Sequence, residues 1–180
     1  YLLGVTAAGL FGLLAVTLTA RSAVRFVQAR SEIYLQEAAQ RAATIVAQQL
    51  TTRRLEVELL AVNPEVVQLA GNERPADRTA AERYMAFLSR RSDWRGLAIA
   101  DRSGAIAYSA RDLPGGGSDR WLRIPLGGAT YVGLPRVDQA TGNIVVDVSA
   151  ALQSVGSKDP AGVIGVVYPL PDLYRSLHGR

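Results

Sequence analysis

The sequence predicts an α+β fold: an N-terminal transmembrane helix and a long stalk helix, followed by an antiparallel five-stranded sheet flanked by helices. Residues 1–20 carry no charge, residues 31–62 contain neither glycine nor proline, and the apolar period changes from helical to strand-like after Gly96. Short apolar runs then follow one another through hairpin-type turns, which is typical of an antiparallel sheet and not of βαβ units.

The first twenty residues predict a membrane helix. They are long enough to cross a hydrocarbon layer of ~30 Å as one helix. Gly4, Ala8 and Gly12 lie four residues apart on one face, and small residues at that spacing let two membrane helices approach closely. A cleaved signal peptide is the alternative, but its apolar core would be shorter, ~7–15 residues.

Residues 21–62 are predicted to form a stalk and dimerisation helix. Its apolar residues recur on one narrow stripe, formed by Ala39, Ala43, Val46, Leu50 and Val57. A thin, alanine-rich stripe suits a seam between two helices better than a broad core face. Because Pro64 lacks a backbone donor and restricts Asn63, the stalk should end there. Asn63 would then cap a short helix that ends at Gly71.

Residues 63–180 are predicted to form one α+β domain. A capping box from Thr79 to Glu82 would open a helix. Five strands follow, at residues 97–100, 105–109, 130–134, 144–151 and 163–168. Residues 113–126, between the second and third strands, contain three consecutive glycines and a short turn or helix. A final helix would begin within residues 170–174.

Composition argues against several classes of protein. The chain has 180 residues, no cysteine and one histidine, His178, so cysteine-based metal sites, disulfides and thiol catalysis are excluded. The formal net charge is +4, but the arginines are scattered among acidic residues, so no nucleic-acid surface is predicted. No nucleophile–base pair or metal-ligand cluster is recognisable. No catalytic residue, metal site or cofactor is therefore expected.

Four segments occur in order behind the stalk: Gly96–Gly104, Trp121–Gly128, Thr130–Pro135 and Gly162–Val167. They resemble, respectively, the first hairpin, an aromatic and basic helix with a small-residue ending, the third strand and the last strand of the Cache domain. Cache domains are PAS-like sensors found outside the membrane in bacterial receptors. The resemblance implies that the sheet and its covering loops enclose a small-molecule pocket. It also implies a dimer whose stalk carries a ligand-induced shift across the membrane.

The amino-acid-binding branch of that family differs at three positions. It carries an arginine where this chain has Asp119, an aromatic residue where it has Leu122, and an aspartate near the position of Val167. The branch's clamp for a carboxylate and an amine is therefore not carried over, and an amino-acid ligand is not predicted.

The candidate pocket lies between the sheet and residues 113–126. Trp121, Arg123 and Tyr131 are its first-choice ligand-binding residues, because aromatic rings offer a stacking wall and arginine a fork for carboxylate or phosphate. A small organic anion is the ligand class that this set suggests. The alternative is that Trp121 and Tyr131 pack in the core while Arg123 faces solvent.

Two further residues are second choices for the pocket, Tyr108 and Asp147. Asp147 interrupts an apolar strand, and strand alternation places it on the face opposite Val146 and Val148. It could equally face water.

These features predict the extracytoplasmic ligand-sensing region of a transmembrane signalling receptor: a histidine kinase of a two-component system, a diguanylate cyclase or a chemotaxis receptor. Its output domain, enzymatic or not, would lie beyond Arg180. The expected location is a bacterial inner membrane, with a homodimeric sensor in the periplasm. Arginines after residue 20 favour the opposite orientation, but the chain is expected to start inside a longer protein. The alternative function is a membrane-anchored structural or partner-binding domain without a ligand.

Overall fold

A computed structural model describes the backbone of residues 2–71, 75–154 and 156–170. Side chains are described for residues 30–31, 33–71, 78–154 and 156–170. Two compact units divide between Ile45 and Val46, and the second contains the sheet.

Several predictions concern residues outside the part of the chain whose side chains are described. Within that part, no helix combines the length and the apolar character that a membrane crossing requires. Residues 1–20 lie outside it, so the transmembrane segment stays a prediction. The final helix expected from residues 170–174 and the single histidine, His178, likewise lie outside the described residues.

The helical segments follow the local signals closely. The first helix, α1, covers Leu2–Ala61 without a break. Its role as a stalk stays a prediction. Asn63 caps α2, Pro64–Ala70, by accepting a hydrogen bond of 2.9 Å from the backbone N–H of Glu65. The third helix, α3, covers Pro75–Arg91. It begins before the capping box, so the prediction of a start at Thr79 is wrong; a proline at the first helical position is preorganised for the helix.

An antiparallel sheet follows. Its strands are β1 Gly96–Asp101, β2 Ile106–Arg111, β3 Tyr131–Val132, β4 Arg136–Val137, β5 Ile144–Leu152 and β6 Gly162–Pro169. The strand order is β2-β1-β6-β5-β3, and β4 also pairs with β5. A short helix, α4, covers Arg120–Leu126 between β2 and β3.

The antiparallel sheet is confirmed, but among the described residues it has six strands and not five. The predicted third strand is replaced by two two-residue strands, β3 and β4, which pair with β5 at separate places. Between them the N–H of Gly133 bonds to the carbonyl oxygen of Asp147 at 2.7 Å. Pro135 has no N–H to donate, so the ladder is interrupted before Arg136.

Alternation along the central strands gives the sheet two different faces. One face carries the main core, which includes Val146, Val148, Ile164 and Val166 and packs against residues of the helices. The opposite face carries a smaller cluster formed by Ala98, Ala100, Trp121 and Val163. The second face is covered by α4 and the segment before it, so each face has its own covering layer.

Part of the predicted dimer stripe is used inside the protomer. Val57 is fully buried in the main core, and Leu50 packs against that core. The opposite side of the same helical turns exposes Leu55 and Leu59. Dimerisation through the remaining stripe stays a prediction.

Val57→Ala is expected to lower the free energy of unfolding by about 1–3 kcal/mol, because it leaves a cavity in a close-packed core. Leu59→Ala, on the same helix, is the matched control and should change stability by less than about 0.5 kcal/mol, since Leu59 is 71% exposed. Urea unfolding of both variants measures the difference. Equal effects would mean that Val57 is not a core residue of the protomer.

Candidate ligand-binding site

The floor of the site is the face of the sheet that carries small residues. Ala98 and Ala100 of β1 lie beside Val163 and Gly165 of β6. A methyl group built on Gly165 would lie 2.6 Å from Cε3 of Trp121 and 2.8 Å from Cγ of Pro114. The indole therefore rests directly on the backbone of β6, and only glycine at residue 165 leaves room for it.

The covering layer is the segment from Leu113 to Leu126, which we call the cover segment. Gly115, Gly116 and Gly117 have φ values of 91°, 52° and 92°, in the left-handed region that side chains disfavour. This backbone path turns the chain so that α4 can place Trp121, which is 5% exposed, over the floor. The hydroxyl of Ser149 donates to the carbonyl oxygen of Trp121 at 2.7 Å and holds the helix to β5.

A buried ion pair lies next to the indole. Nε and Nη2 of Arg136 donate to the two carboxylate oxygens of Asp147 at 3.2 and 3.1 Å, and the N–H of Gly115 adds a third hydrogen bond of 3.1 Å. The Asp147 side chain is 4% exposed and that of Arg136 is 32% exposed. The hydrogen bond to Asp147 raises the pKa of the Arg136 guanidinium, so the guanidinium stays protonated.

Further charges surround this pair. Nε of Arg95 lies 3.0 Å from a carboxylate oxygen of Asp112 and 3.0 Å from one of Asp138. The charges of Asp138 and Asp112 also contribute to the raised pKa of Arg136. We call these five side chains the acidic cluster, because three carboxylates outnumber two guanidinium groups. Its net charge favours a cation over an anion.

Three of the predicted site residues come together on this face. Trp121 and Tyr131 belong to the smaller cluster, and Asp147 projects from β5 on the same side. The prediction that Asp147 faces away from Val146 and Val148 is confirmed, because those two residues lie in the main core.

The other two predicted residues lie elsewhere. The Arg123 side chain is 78% exposed and lies 3.6 Å from Asp119 across one helical turn. Tyr108 packs against the main core on the opposite face of the sheet, where burial raises the pKa of its hydroxyl. Neither side chain is placed next to Trp121.

Arg136 is the site residue that sequence reasoning missed. It lies beyond Pro135, in the connection between the third and fourth predicted strands, to which no element was assigned. Its contact with Asp147 depends on the pairing of β4 with β5, which aligns Arg136 with Val145. One signal in the sequence pointed to it: an acidic residue in an apolar strand needs a partner when it is buried, and Arg136 and Lys158, on either side, are the nearest basic residues. The sequence alone does not choose between these two.

An open cleft lies elsewhere, at the C-terminal end of α1. It has a volume of about 210 Å³ and is lined by Glu58, Ala61, Val62, Gly128, Ala129, Thr130, Ala150, Ala151 and Gln153. Oε1 of Glu58 accepts hydrogen bonds from Thr130 and Arg54 at 2.6 and 2.8 Å. This cleft is separate from the acidic cluster.

No protein-family model and no curated protein sequence matches the chain. Solved structures do match. The sensor domain of the Vibrio cholerae histidine kinase DctB has a TM-score of 0.62 and 16% identity, over 81% of this chain and 58% of that one. The ligand-binding domain of the Pseudomonas aeruginosa chemoreceptor PctC, solved with GABA, has a TM-score of 0.56 and 24% identity, over 79% and 63%.

The sensory domain of the Campylobacter jejuni chemoreceptor Tlp3, solved with isoleucine, has a TM-score of 0.56 and 16% identity, over 78% of this chain and 60% of that one. The chain thus spans about six tenths of the length of these domains. At such identities the likeness is one of fold. Helices on one face of an antiparallel sheet and a covered small-residue floor on the other agree with it, and the chain has the Cache-type, PAS-like fold of bacterial sensor domains.

Proposed function

We propose that the chain is the extracytoplasmic ligand-sensing region of a transmembrane signalling receptor. The observation that carries this function is the site itself: a floor of small residues under an adaptable, glycine-rich cover segment, with a buried ion pair at its edge. Small-molecule sites combine apolar walls with a few placed polar groups in this way. The likeness to sensor domains of chemoreceptors and of a histidine kinase supports the same function.

The proposed ligand is a small molecule with a cationic nitrogen. Asp147 is the direct cross-strand partner of Val167, where the resemblance places an aspartate of the amino-acid-binding branch. In this chain the carboxylate therefore comes from β5, whereas the branch carries it on the last strand. A plain organic anion has less support, because Arg123 lies outside the site and the acidic cluster is negative overall. Trp121, Tyr131 and Asp147 are the proposed contact residues.

A route from this site to the stalk runs through β6. By alternation, Val167 faces Asp147 while Tyr168 faces the main core. The guanidinium of Arg53, on α1, lies 4.7 Å from the centre of the Tyr168 ring, a cation–π distance. A shift of β6 at the ligand would therefore act on the residues of α1 that pack against the sheet.

Assembly and location complete the proposal. The receptor would be a homodimer in a bacterial inner membrane, with this sensor in the periplasm and an output domain beyond Arg180. The output could be a histidine kinase, a diguanylate cyclase or the signalling part of a chemotaxis receptor. The continuous helix α1 supports a stalk, since packed helices move as rigid units.

A second candidate function is a structural or partner-binding domain without a small ligand. It is favoured by one observation: the indole of Trp121 already fills the space above Gly165. A ligand must therefore displace or share that space, and the screen below decides between the two functions.

Thermal unfolding of the detergent-solubilised chain, with panels of amino acids, amines and small carboxylates, tests the sensing function. At least one compound should raise the melting temperature, since a ligand at 100 times its Kd adds about 2.7 kcal/mol. Asp147→Asn should weaken its binding at least about tenfold, whereas Arg123→Ala is the matched control and should not. If no compound of the three panels stabilises the chain, the ligand-free function is favoured.

A further inference from the structure

We propose that Arg136 is an internal substitute for the ligand's cation: its guanidinium occupies the anionic centre at Asp147 and must leave before a cationic ligand binds there. This role rests on the proposed sensing function and adds a ligand class and a self-occupied resting state to it. The ligand class is a primary ammonium or a guanidinium group on a small apolar body.

The geometry at Asp147 is that of an occupied cation site. Both carboxylate oxygens accept hydrogen bonds from Arg136, and one of them also accepts the N–H of Gly115. With 4% of its side chain exposed, Asp147 has little contact with water. A carboxylate at that depth requires a partner cation, so a departing Arg136 has to be replaced.

Arg136 is placed so that it can leave. It begins β4, a strand of two residues, and a third of its side chain is exposed. The guanidinium can therefore turn into solvent without opening the main core, and water then hydrates it. Asp147 has no such freedom, because its strand lies inside the sheet between β6 and the two short strands.

The same arginine contacts the cover segment. A methyl group built on Gly116 would lie 3.1 Å from Cδ of Arg136. The backbone N–H of Gly115 donates a hydrogen bond to Asp147, and a methyl group built on Gly115 would clash with the indole of Trp121. The ion pair and the indole are thus held under one turn of backbone, and a ligand that replaces Arg136 also meets Trp121.

Charge decides the class of the replacement. When Arg136 turns away, Asp147 is left beside Asp112 and Asp138, with Arg95 as the other guanidinium of the acidic cluster. An ammonium or guanidinium ion restores the lost charge and the lost hydrogen bonds, whereas a carboxylate restores neither.

Chemical rescue of Arg136→Ala tests whether a small cation can take the place of the Arg136 guanidinium at Asp147. Methylguanidinium and propylammonium are the probes, and choline chloride is the ionic-strength control. In the detergent-solubilised chain, Arg136→Ala should melt lower than the unmodified protein. Either probe at millimolar concentration should raise its melting temperature saturably by at least about 3 °C. The unmodified protein and Arg123→Ala should show a clearly smaller rise at the same concentrations, because Arg136 competes with the probe for Asp147. Arg136→Gln, which keeps part of the side-chain stem, repeats the measurement if the alanine variant does not fold.

The double variant Arg136→Ala, Asp147→Asn identifies the binding centre, since it removes both charges and should gain nothing from the probes. Absence of saturable stabilisation in Arg136→Ala and Arg136→Gln would overturn the proposal, as would equal stabilisation of the double variant. A ligand found in the screen above, combined with no rescue here, would keep the sensing function and reject Arg136 as its substitute.

Discussion

Arg136→Ala is expected to destabilise the domain by about 3–5 kcal/mol, the cost of leaving one partner of a buried ion pair uncompensated. Asp147→Ala should cost less, about 1–3 kcal/mol, although it breaks the same pair. The asymmetry arises because Asp147 is 4% exposed and cannot reach water, whereas Arg136 is 32% exposed and can. Urea unfolding at neutral pH measures both free energies.

Arg123→Ala is the control for the loss of an arginine as such. Its side chain is 78% exposed and forms an exposed ion pair with Asp119, so stability should change by less than about 0.5 kcal/mol. If Asp147→Ala lowers the free energy of unfolding as much as Arg136→Ala or more, the difference in burial between the two side chains does not explain their contributions to stability.

Trp121→Ala is expected to lower stability by about 3–5 kcal/mol, because the indole fills the space between the cover segment and β6 and no neighbour can replace it. Leu122→Ala, one residue further along α4, is the matched control and should cost about 1 kcal/mol, since Leu122 is only partly buried. Thermal unfolding gives both values. If the two variants lose similar stability, the cover segment must close onto Gly165 and fill the space that the indole leaves.

The loss of Trp121 also separates the two candidate functions. If the indole regulates access to a ligand site, a compound found in the screen should still bind to Trp121→Ala, with altered affinity. If Trp121 is only a core residue of a ligand-free domain, the variant should be destabilised and bind none of the compounds.

Local chemistry explains the elements that could be predicted. The helix end at Asn63 follows from Pro64, and the first hairpin from the turn residues between Asp101 and Gly104, where Asp101 accepts the N–H of Ser103. The face of Asp147 follows from strand alternation alone. In each case the deciding residues lie within a few positions of one another.

The site needed contacts that are distant in sequence. Arg123 and Arg136 are both single arginines in mixed stretches, and nothing local distinguishes the exposed Arg123 from the half-buried Arg136. The distinction comes from β4, whose pairing with β5 brings Arg136 to Asp147. The apolar stripe of the stalk is a similar case, because periodicity groups Val57 with Ala43 but cannot say whether the partner is another helix or the protomer's own sheet.

Local patterns were enough to predict the helices before the sheet, most of its strands, the face of Asp147 and the glycines that let the cover segment turn, because these depend on backbone preference and on short periods. Tertiary structure alone decided which arginine meets the buried carboxylate, that Gly165 receives the indole of Trp121, and that Val57 faces the protomer's own core. The physical reason is that burial assigns partners to charges and to large side chains, and burial exists only after strands far apart in the chain have paired.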